Sequence, residues 1–306
     1  MLTIIIPAFN SERTISRCIN SILESDLKTP NILNEIIIVN DGSTDNTLNK
    51  LNKIASNNKK IKIINQENKG AGGARNTGIK NSNSEYISFV DVDDTVDDMY
   101  LSPLIDCKHD LISFNLIKEN KNGSHCLITC NDKNGSIVSA FLKRSYIIDN
   151  AIYAPEKINY EDNAICFLIY NKTKNKHHQN SPLYNYKYSK NSQSNTKSYR
   201  HAEDRVDSII YLIDNAKRLD IYNENKSTLD EMAFSVGYLP ALSLCFRKWG
   251  NYNKLSSLRQ KLLSNVEVKL PVNTKLKNKI FYLLIEKFGR LGYLLICFKR
   301  INKIFK

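Results

Sequence analysis

A chain of 306 residues, 42% hydrophobic and 25% charged, has the composition of an ordinary globular protein and can bury a sizeable core. Its seven cysteines, at 18, 107, 126, 130, 166, 245 and 297, are odd in number and form no CxxC pair, which speaks against a disulfide framework or a zinc site. The net charge of +13 is unevenly placed: residues 251–306 hold 13 Lys and Arg against 2 Asp and Glu, so 13 − 2 = +11 lies there and only +2 in the first 250 residues.

The N-terminus, "MLTIIIPAFN", lacks the basic and long apolar regions of a signal peptide, so a cytoplasmic protein is expected. "TIIIP" (3–7) is a short continuous apolar run, which predicts a strand buried on both faces. Behind it Ile15, Cys18, Ile19 and Ile22 recur at helical spacing, with Asn10 or Ser11 as N-cap. "EIIIV" (35–39) is the next strand, and Leu48, Leu51 and Ala55 mark the next helix. "IKII" (61–64) is a third strand, a helix follows from about Gly73, and "YISFV" (86–90) is a fourth strand. Strands alternating with helices imply a parallel sheet with right-handed crossovers.

Four unusual segments sit at or just after strand ends: "PAFN" (7–10), "NDGSTD" (40–45), "NKGAGGARN" (68–76) and "DVDD" (91–94). In open parallel sheets the loops at the carboxyl ends of the strands build the ligand crevice, so the four converge on one site. Alone, "NDGSTD" is equally a turn and helix cap, although Asp41 stands where an acid takes a base or ribose hydrogen bond. "GAGGARN" is equally a flexible loop, but Arg75 beside backbone-exposing glycines suits a diphosphate. The first strand is followed by no GxGxxG, which disfavours a nicotinamide-dependent Rossmann enzyme.

The acidic run Asp91, Asp93, Asp94, Asp97 and Asp98 demands a nearby positive charge. An EF-hand does not supply it: the sixth position from Asp91 is Val96 and the twelfth is Ser102, not Gly and Glu. Carboxylates at the mouth of a buried strand, near a phosphate-friendly loop, suit a hard divalent ion, Mg²⁺ or Mn²⁺. Asp97 and Asp98 read as caps of the segment that follows.

"TIIIPAFNSERTI", "IIIVNDGSTDNT", "NKGAGGARNTGI" and "YISFVDVDD", in this order, resemble the family 2 nucleotide-sugar glycosyltransferases of bacterial surface-polysaccharide type. The resemblance is dense over residues 1–100, and a Glu-Asp pair before a helix, "NYEDNAICFLIY" (159–170), extends it. It implies the GT-A fold: α/β, a mostly parallel central sheet flanked by helices, here with a helical basic C-terminal extension. The expected domains are a catalytic domain over 1–200 (nucleotide-sugar half 1–100, acceptor half 101–200) and an extension over 201–306. By the resemblance Pro7, Ala8 and Phe9 line the nucleotide pocket, Asp41 meets uracil or ribose, and Arg75 lies near the base or diphosphate. Asp91 and Asp93 match the metal-binding pair, with Asp93 the more direct ligand; Asp94 lies beside the donor sugar and Asp162 is the general base. Asn40, where the family more often has a second Asp, and Phe9, for a frequent Tyr, are mild departures. Glu161 and Asp162 also suit a helix N-terminus on electrostatic grounds alone.

The rest is less marked. "DLISFNLIKENKNGSHCLITC" (110–130) reads as a hairpin around Asn122-Gly123. His177 and His178, adjacent on a strand, point apart and suit a solvated loop. "SKNSQSNTKS" (189–198) has the composition of a mobile acceptor lid. From about 203 the pattern is helical, and at the end Ile280, Leu284, Phe288, Leu291, Leu295 and Phe298 recur at helical spacing among lysines and arginines. Glu286, Lys287 and Arg290 make this a poor transmembrane helix. Two readings remain: an amphipathic helix on an anionic membrane, or a helix packing its apolar stripe on the globular domain. Nucleic acid fits the charge but not the apolar content.

The expected function is inverting, metal-dependent transfer of a hexose from a UDP-sugar to a lipid-linked (undecaprenyl-diphosphate) sugar acceptor in O-antigen or capsule-type synthesis. The protein is expected to be peripheral on the inner face of the cell membrane. UDP-glucose leads among donors by family frequency, before UDP-galactose or UDP-N-acetylhexosamine. The alternative of another class is a non-catalytic sugar-nucleotide or membrane-binding module.

Overall fold

The computed structural model describes residues 1–130, 136–188, 198–240, 252–268, 270–271 and 274–304. The chain divides into two compact units, Met1–Asn195 and Thr196–Lys306.

The first unit is built on one nine-stranded sheet. β1 (Leu2–Ala8) and β2 (Leu33–Asp41) pair in parallel, with Ile4, Ile5 and Ile6 opposite Ile36, Ile37 and Ile38. β3 (Ile61–Gln66) adds beyond β2 and β4 (Tyr86–Phe89) on the other side of β1, both parallel. Isoleucine runs suit these strands because helices cover the sheet and leave little room for alternation. α1 (Ile15–Lys28) buries Ile15, Cys18, Ile19 and Ile22; α2 (Thr47–Ala55) buries Leu51. α3 (Gly70–Asn81) comes so close to β1 that a Cβ on Gly78 would lie 2.3 Å from Ile5.

Beyond β4 the sheet changes character. β5 (Thr95–Val96), β6 (Leu111–Glu119), β7 (His125–Ile128), β8 (Ala140–Lys143) and β9 (Lys176–Tyr186) complete it in the order β3-β2-β1-β4-β8-β6-β9-β5, with β7 on β6. Parallel pairing is thus concentrated in β1–β4 and recurs only at β6–β9; the β4–β8, β6–β8, β6–β7 and β5–β9 pairs are antiparallel. The sheet is less parallel than the sequence suggests because hairpins and direct returns, which need no crossover helix, build its second half. The β6–β7 hairpin turns where expected, with Gly123 at φ +79° and Asn122 Oδ1 accepting from the Ser124 N–H at 3.1 Å. α4 (Arg144–Asp149) and α5 (Glu161–Lys172) complete the unit.

Two helix starts differ from expectation. α1 begins at Ile15 with Thr14 as its cap residue, not at Asn10 or Ser11, because those side chains are engaged elsewhere: Asn10 Oδ1 accepts from the Thr44 N–H and Ser11 Oγ donates to the Phe9 carbonyl. α3 starts at Gly70, three residues before the expected Gly73.

The second unit is helical: α6 (Tyr199–Arg218), α7 (Lys226–Met232) running into a π-helical turn (Ala233–Tyr238), α8 (Tyr252–Asn265) and α9 (Leu276–Ile304). Ser198 caps α6 by accepting the His201 N–H. α9 is broken at Gly289 (φ 49°, ψ −120°). Among the described residues no helix is long and apolar enough to cross a membrane. The proposed lid at 189–197 and the side chains of Leu295, Phe298 and the last basic residues lie outside the described residues.

Candidate active site

The strand ends do gather the sequence motifs. After β1 the chain turns at Asn10, which has a positive φ of 48°. The Asn10 N–H donates to Ser43 Oγ at 3.0 Å, and the Glu12 N–H donates to Asp45 Oδ2 at 3.2 Å. "PAFN" and "NDGSTD" are thereby knitted into one rim, on which Pro7 is half-buried, Ala8 buried and Phe9 44% exposed.

Asp41 is the last residue of β2 and is 3% exposed. Its Oδ1 accepts from Gln66 Nε2 at 2.6 Å and from the Lys69 N–H at 2.8 Å. The carboxylate therefore holds the end of β3 and the start of α3, where a helix N-terminus favours negative charge. Oδ2 accepts no hydrogen bond among the described residues and is the atom left for a ligand. The turn after it requires glycine: Gly42 has φ +74°, and a Cβ there would meet the Asn68 nitrogen at 3.0 Å.

The glycines of α3 serve a different purpose. A Cβ on Gly72 would lie 2.5 Å from the Pro155 carbonyl oxygen, so glycine lets the segment before α5 close onto α3. Asn76 clamps the same segment, donating to the Ala154 carbonyl at 2.8 Å and accepting the Ala154 N–H at 2.9 Å. This brings the first residues of α5 over Arg75.

Arg75, 4% exposed, is the centre of the site. Nη1 donates to Glu161 Oε1 at 2.6 Å and Nη2 to Asp91 Oδ1 at 2.9 Å. Its guanidinium also lies 6.0 Å from the Phe89 ring centroid. Burial alone would pull its pKa down, but the charges of Asp91, Glu161 and Asp162 outweigh that and raise it. A permanently charged Arg75 thus ties the end of β4 to the start of α5, with a hydrogen bond to a carboxyl group on each side.

Asp162, half-buried in the first turn of α5, accepts from Asn163 Nδ2 at 3.3 Å. Burial raises its pKa, against the lowering effect of Arg75. Among the described residues it has no ion-pair partner within salt-bridge distance, and a half-buried carboxylate of raised pKa could accept a proton.

The acidic loop is held from behind. Tyr184 on β9 accepts the Asp91 N–H at 3.1 Å and donates its hydroxyl to Asp94 Oδ2 at 2.7 Å. The Lys187 N–H donates to Asp94 Oδ1 at 2.7 Å. Asp94, expected beside the donor sugar, is 1% exposed with both oxygens bonded inside the protein. Burial and the charges of Asp91 and Asp93 push its pKa up to about 8. From the other side Arg17 Nη2 donates to the Asp93 carbonyl at 2.6 Å.

Asp91 and Asp93 remain for a cation. Both are half-buried, and burial together with the neighbouring Asp91 charge raises the Asp93 pKa. Two neighbouring carboxylates, one of them also paired with Arg75, suit Mg²⁺ or Mn²⁺, which take one or two carboxylates and complete their shell with waters and substrate phosphates. Among the described residues no three His, Cys, Asp or Glu side chains form a metal cage. The site thus fits a cation shared with a phosphate ligand, not one held by protein alone.

Arg75, Asp91, Glu161 and Asp162 are therefore one cluster, with Asp93 beside it and Asp41 at the neighbouring strand end. His177 and His178 belong elsewhere: His177 stacks on His109 at 5.2 Å, and His178 Nδ1 hydrogen-bonds Ser113 Oγ at 2.8 Å. Sequence reasoning missed Tyr184, Arg17 and the Arg75–Glu161 pair. Tyr184 left no clear signal, because it lies near the end of a largely polar strand, KHHQNSPLYNY.

Residues 3–110 match the family model described as glycosyl transferase family 2. Glycosyltransferase GlyA of Streptococcus pneumoniae is 39% identical over 103 residues, 34% of this chain and 14% of that protein. Curated relatives of this kind are spanned over 10% to 34% of their own length. Among solved structures, S. aureus TarS 1–349 in complex with UDP gives a TM-score of 0.62 at 19% identity, covering 86% of this chain and 88% of that one. Mannosyltransferase PcManGT from Pyrobaculum calidifontis, in complex with GDP-Man and Mn²⁺, gives 0.56 at 14% identity, covering 97% and 85%. Residues 3–110 are thus similar to glycosyl transferase family 2, and the chain shares the mixed α/β, GT-A-like fold of these solved structures.

Proposed function

We propose that the first unit transfers a hexose, with inversion, from a UDP-sugar to a lipid-diphosphate-linked sugar presented at the inner face of the cell membrane, in surface-polysaccharide synthesis. The observation that carries the reading is the meeting of Asp91, Glu161 and Asp162 around the one buried guanidinium of Arg75. It sets Asp91 directly on a fixed positive charge, with Asp162 within its electrostatic reach. The nucleotide complexes of TarS and PcManGT support a nucleotide-sugar donor. UDP-glucose leads, followed by UDP-galactose and UDP-N-acetylhexosamine.

In this reading Pro7, Ala8 and Phe9 line the nucleotide, and Asp41 Oδ2 accepts from uracil or ribose. Asp93 and Asp91 would hold Mn²⁺ or Mg²⁺, which would supply positive charge against the departing diphosphate. Asp162 takes the proton of the acceptor hydroxyl as that oxygen attacks the anomeric carbon. Arg75 keeps Asp91 and α5 in place through its two Nη atoms. Asp94, tied to Tyr184 and Lys187, fixes the loop that presents Asp91 and Asp93.

The test is release of UDP from a panel of UDP-sugars, with and without a lipid-diphosphate-linked N-acetylhexosamine. Release from one donor, abolished by a chelator and by Asp93→Ala, is expected. Donor turnover that survives both treatments refutes the metal assignment; UDP binding without turnover of any donor refutes the transferase reading.

A further inference from the structure

The second unit carries a surface of unusual composition. One side of α9 is used inside the unit. Arg259 Nε donates to Glu286 Oε1 at 2.7 Å, Arg259 Nη2 pairs with Glu286 Oε2, and the Tyr238 hydroxyl donates to Glu286 Oε1 at 2.9 Å. The Tyr282 ring meets Phe234 and Tyr238 at 5.5 and 5.3 Å, and Tyr293 meets Tyr252 at 5.6 Å. Ile285 and Tyr293 are each 3% exposed. This side anchors the helix on both sides of the break at Gly289.

The other side has no such partners. Leu276, Ile280, Leu283, Phe288, Leu291 and Leu294 are 41–73% exposed. Leu276, Ile280 and Leu283 follow steps of four and three residues before the break at Gly289, and Leu291 and Leu294 a step of three after it, so each group shares a face of its own helical segment. Every other exposed residue described between 275 and 294 is basic: Lys275, Lys279, Lys287 and Arg290. The single acid in that stretch, Glu286, is turned inward to Arg259 and Tyr238. The exposed surface therefore consists of large apolar groups and cations alone.

That pairing selects the occupant. A second copy of the chain docked on the same face by a two-fold axis would set these cations against themselves. Nucleic acid would satisfy the cations and leave six apolar side chains against phosphate. A bilayer of anionic phospholipid satisfies both sets at once, with acyl chains below and phosphates at the level of the cations. We infer that the outer face of α9 is a preformed docking surface for an anionic lipid bilayer, entered by Leu276, Ile280, Leu283, Leu291 and Leu294 and flanked by Lys275, Lys279, Lys287 and Arg290. The surface stands independently of the transfer reaction, since it involves no residue of the first unit.

The experiment is co-sedimentation of the full chain with vesicles of phosphatidylglycerol and phosphatidylcholine, against vesicles of phosphatidylcholine alone. The full chain binds the anionic vesicles, and 1 M salt weakens that binding. Lys279→Glu with Lys287→Glu and Arg290→Glu lowers partitioning at least about 100-fold, taking about fivefold for each cation removed near an anionic surface. Leu291→Asp with Leu294→Asp lowers it to a similar degree. All five leucine and cation positions changed are exposed, and an unchanged circular-dichroism melt verifies that each variant is folded. Equal binding to both vesicle types, or anionic binding unchanged in both variants, overturns the inference. So does a dimer in light scattering that Leu291→Asp converts to monomer, because a second copy then covers the face.

Discussion

The two halves of the sheet reach the site by different means. Strands β1 to β4 deliver Asp41, Asp91 and Asp93 at their own ends, so each residue's position follows from the strand that precedes it. The second half works at long range: Glu161 reaches Arg75 across 86 residues, and Tyr184 reaches Asp94 across 90. In the proposed function the first half supplies the groups that face a nucleotide, and the second half fixes them and adds a proton acceptor. A site divided in this way separates cleanly under mutation into groups that react and groups that hold.

The division is tested most strongly by Asp162→Asn. It should cost about 10²- to 10⁴-fold in turnover, the usual worth of a positioned base, while UDP affinity measured by calorimetry stays the same. A matching loss of UDP affinity would place Asp162 in the donor half instead. Arg75→Ala is expected to destabilise the fold by about 3 kcal/mol, because it leaves the buried carboxylate of Glu161, and in smaller part the half-buried one of Asp91, without their cation; chemical denaturation measures this. A loss under 1 kcal/mol would mean that the two halves are not joined through Arg75. Tyr184→Phe keeps the ring and removes the hydroxyl shared by Asp91 and Asp94, for about 1–3 kcal/mol. Its effect on activity should appear as weaker metal dependence, read from a Mn²⁺ titration of turnover.

The smallest effect is one of pH. Asp162 acts as a base only when deprotonated, and burial raises its pKa. The acid limb of kcat/KM should accordingly lie above the ordinary aspartate value of about 3.9, with activity lost as pH falls through it. Full activity down to about pH 4 would contradict that burial effect.

The same division explains what the sequence made legible. Isoleucine runs, Gly42 after Asp41 and the acidic burst after β4 are local signals, because a parallel strand and its loop are written contiguously. The Glu161–Arg75 pair is not: Glu161 in isolation is a helix-start acid, and nothing near residue 161 names residue 75. The role of Asp94 was hidden for the same reason. Its oxygens are taken by Tyr184 and the Lys187 backbone, on a strand whose register places them only once β9 has paired with β6 and β5. The start of α1 was misplaced because Asn10 serves the neighbouring loop, a partner 34 residues away. The outer face of α9 was legible as a stripe, but not which leucines are outermost: Leu284 is only partly exposed, whereas Leu283 and Leu294 are open.

The central claim is that one carboxylate, Asp162, serves a single displacement at the anomeric carbon. Its most direct test is the anomeric configuration of the product, read by NMR from the donor that releases UDP. Transfer from an α-linked UDP-sugar should give a β-linked product, and Asp162→Asn should give none. An α-linked product would require a second displacement and would contradict the account.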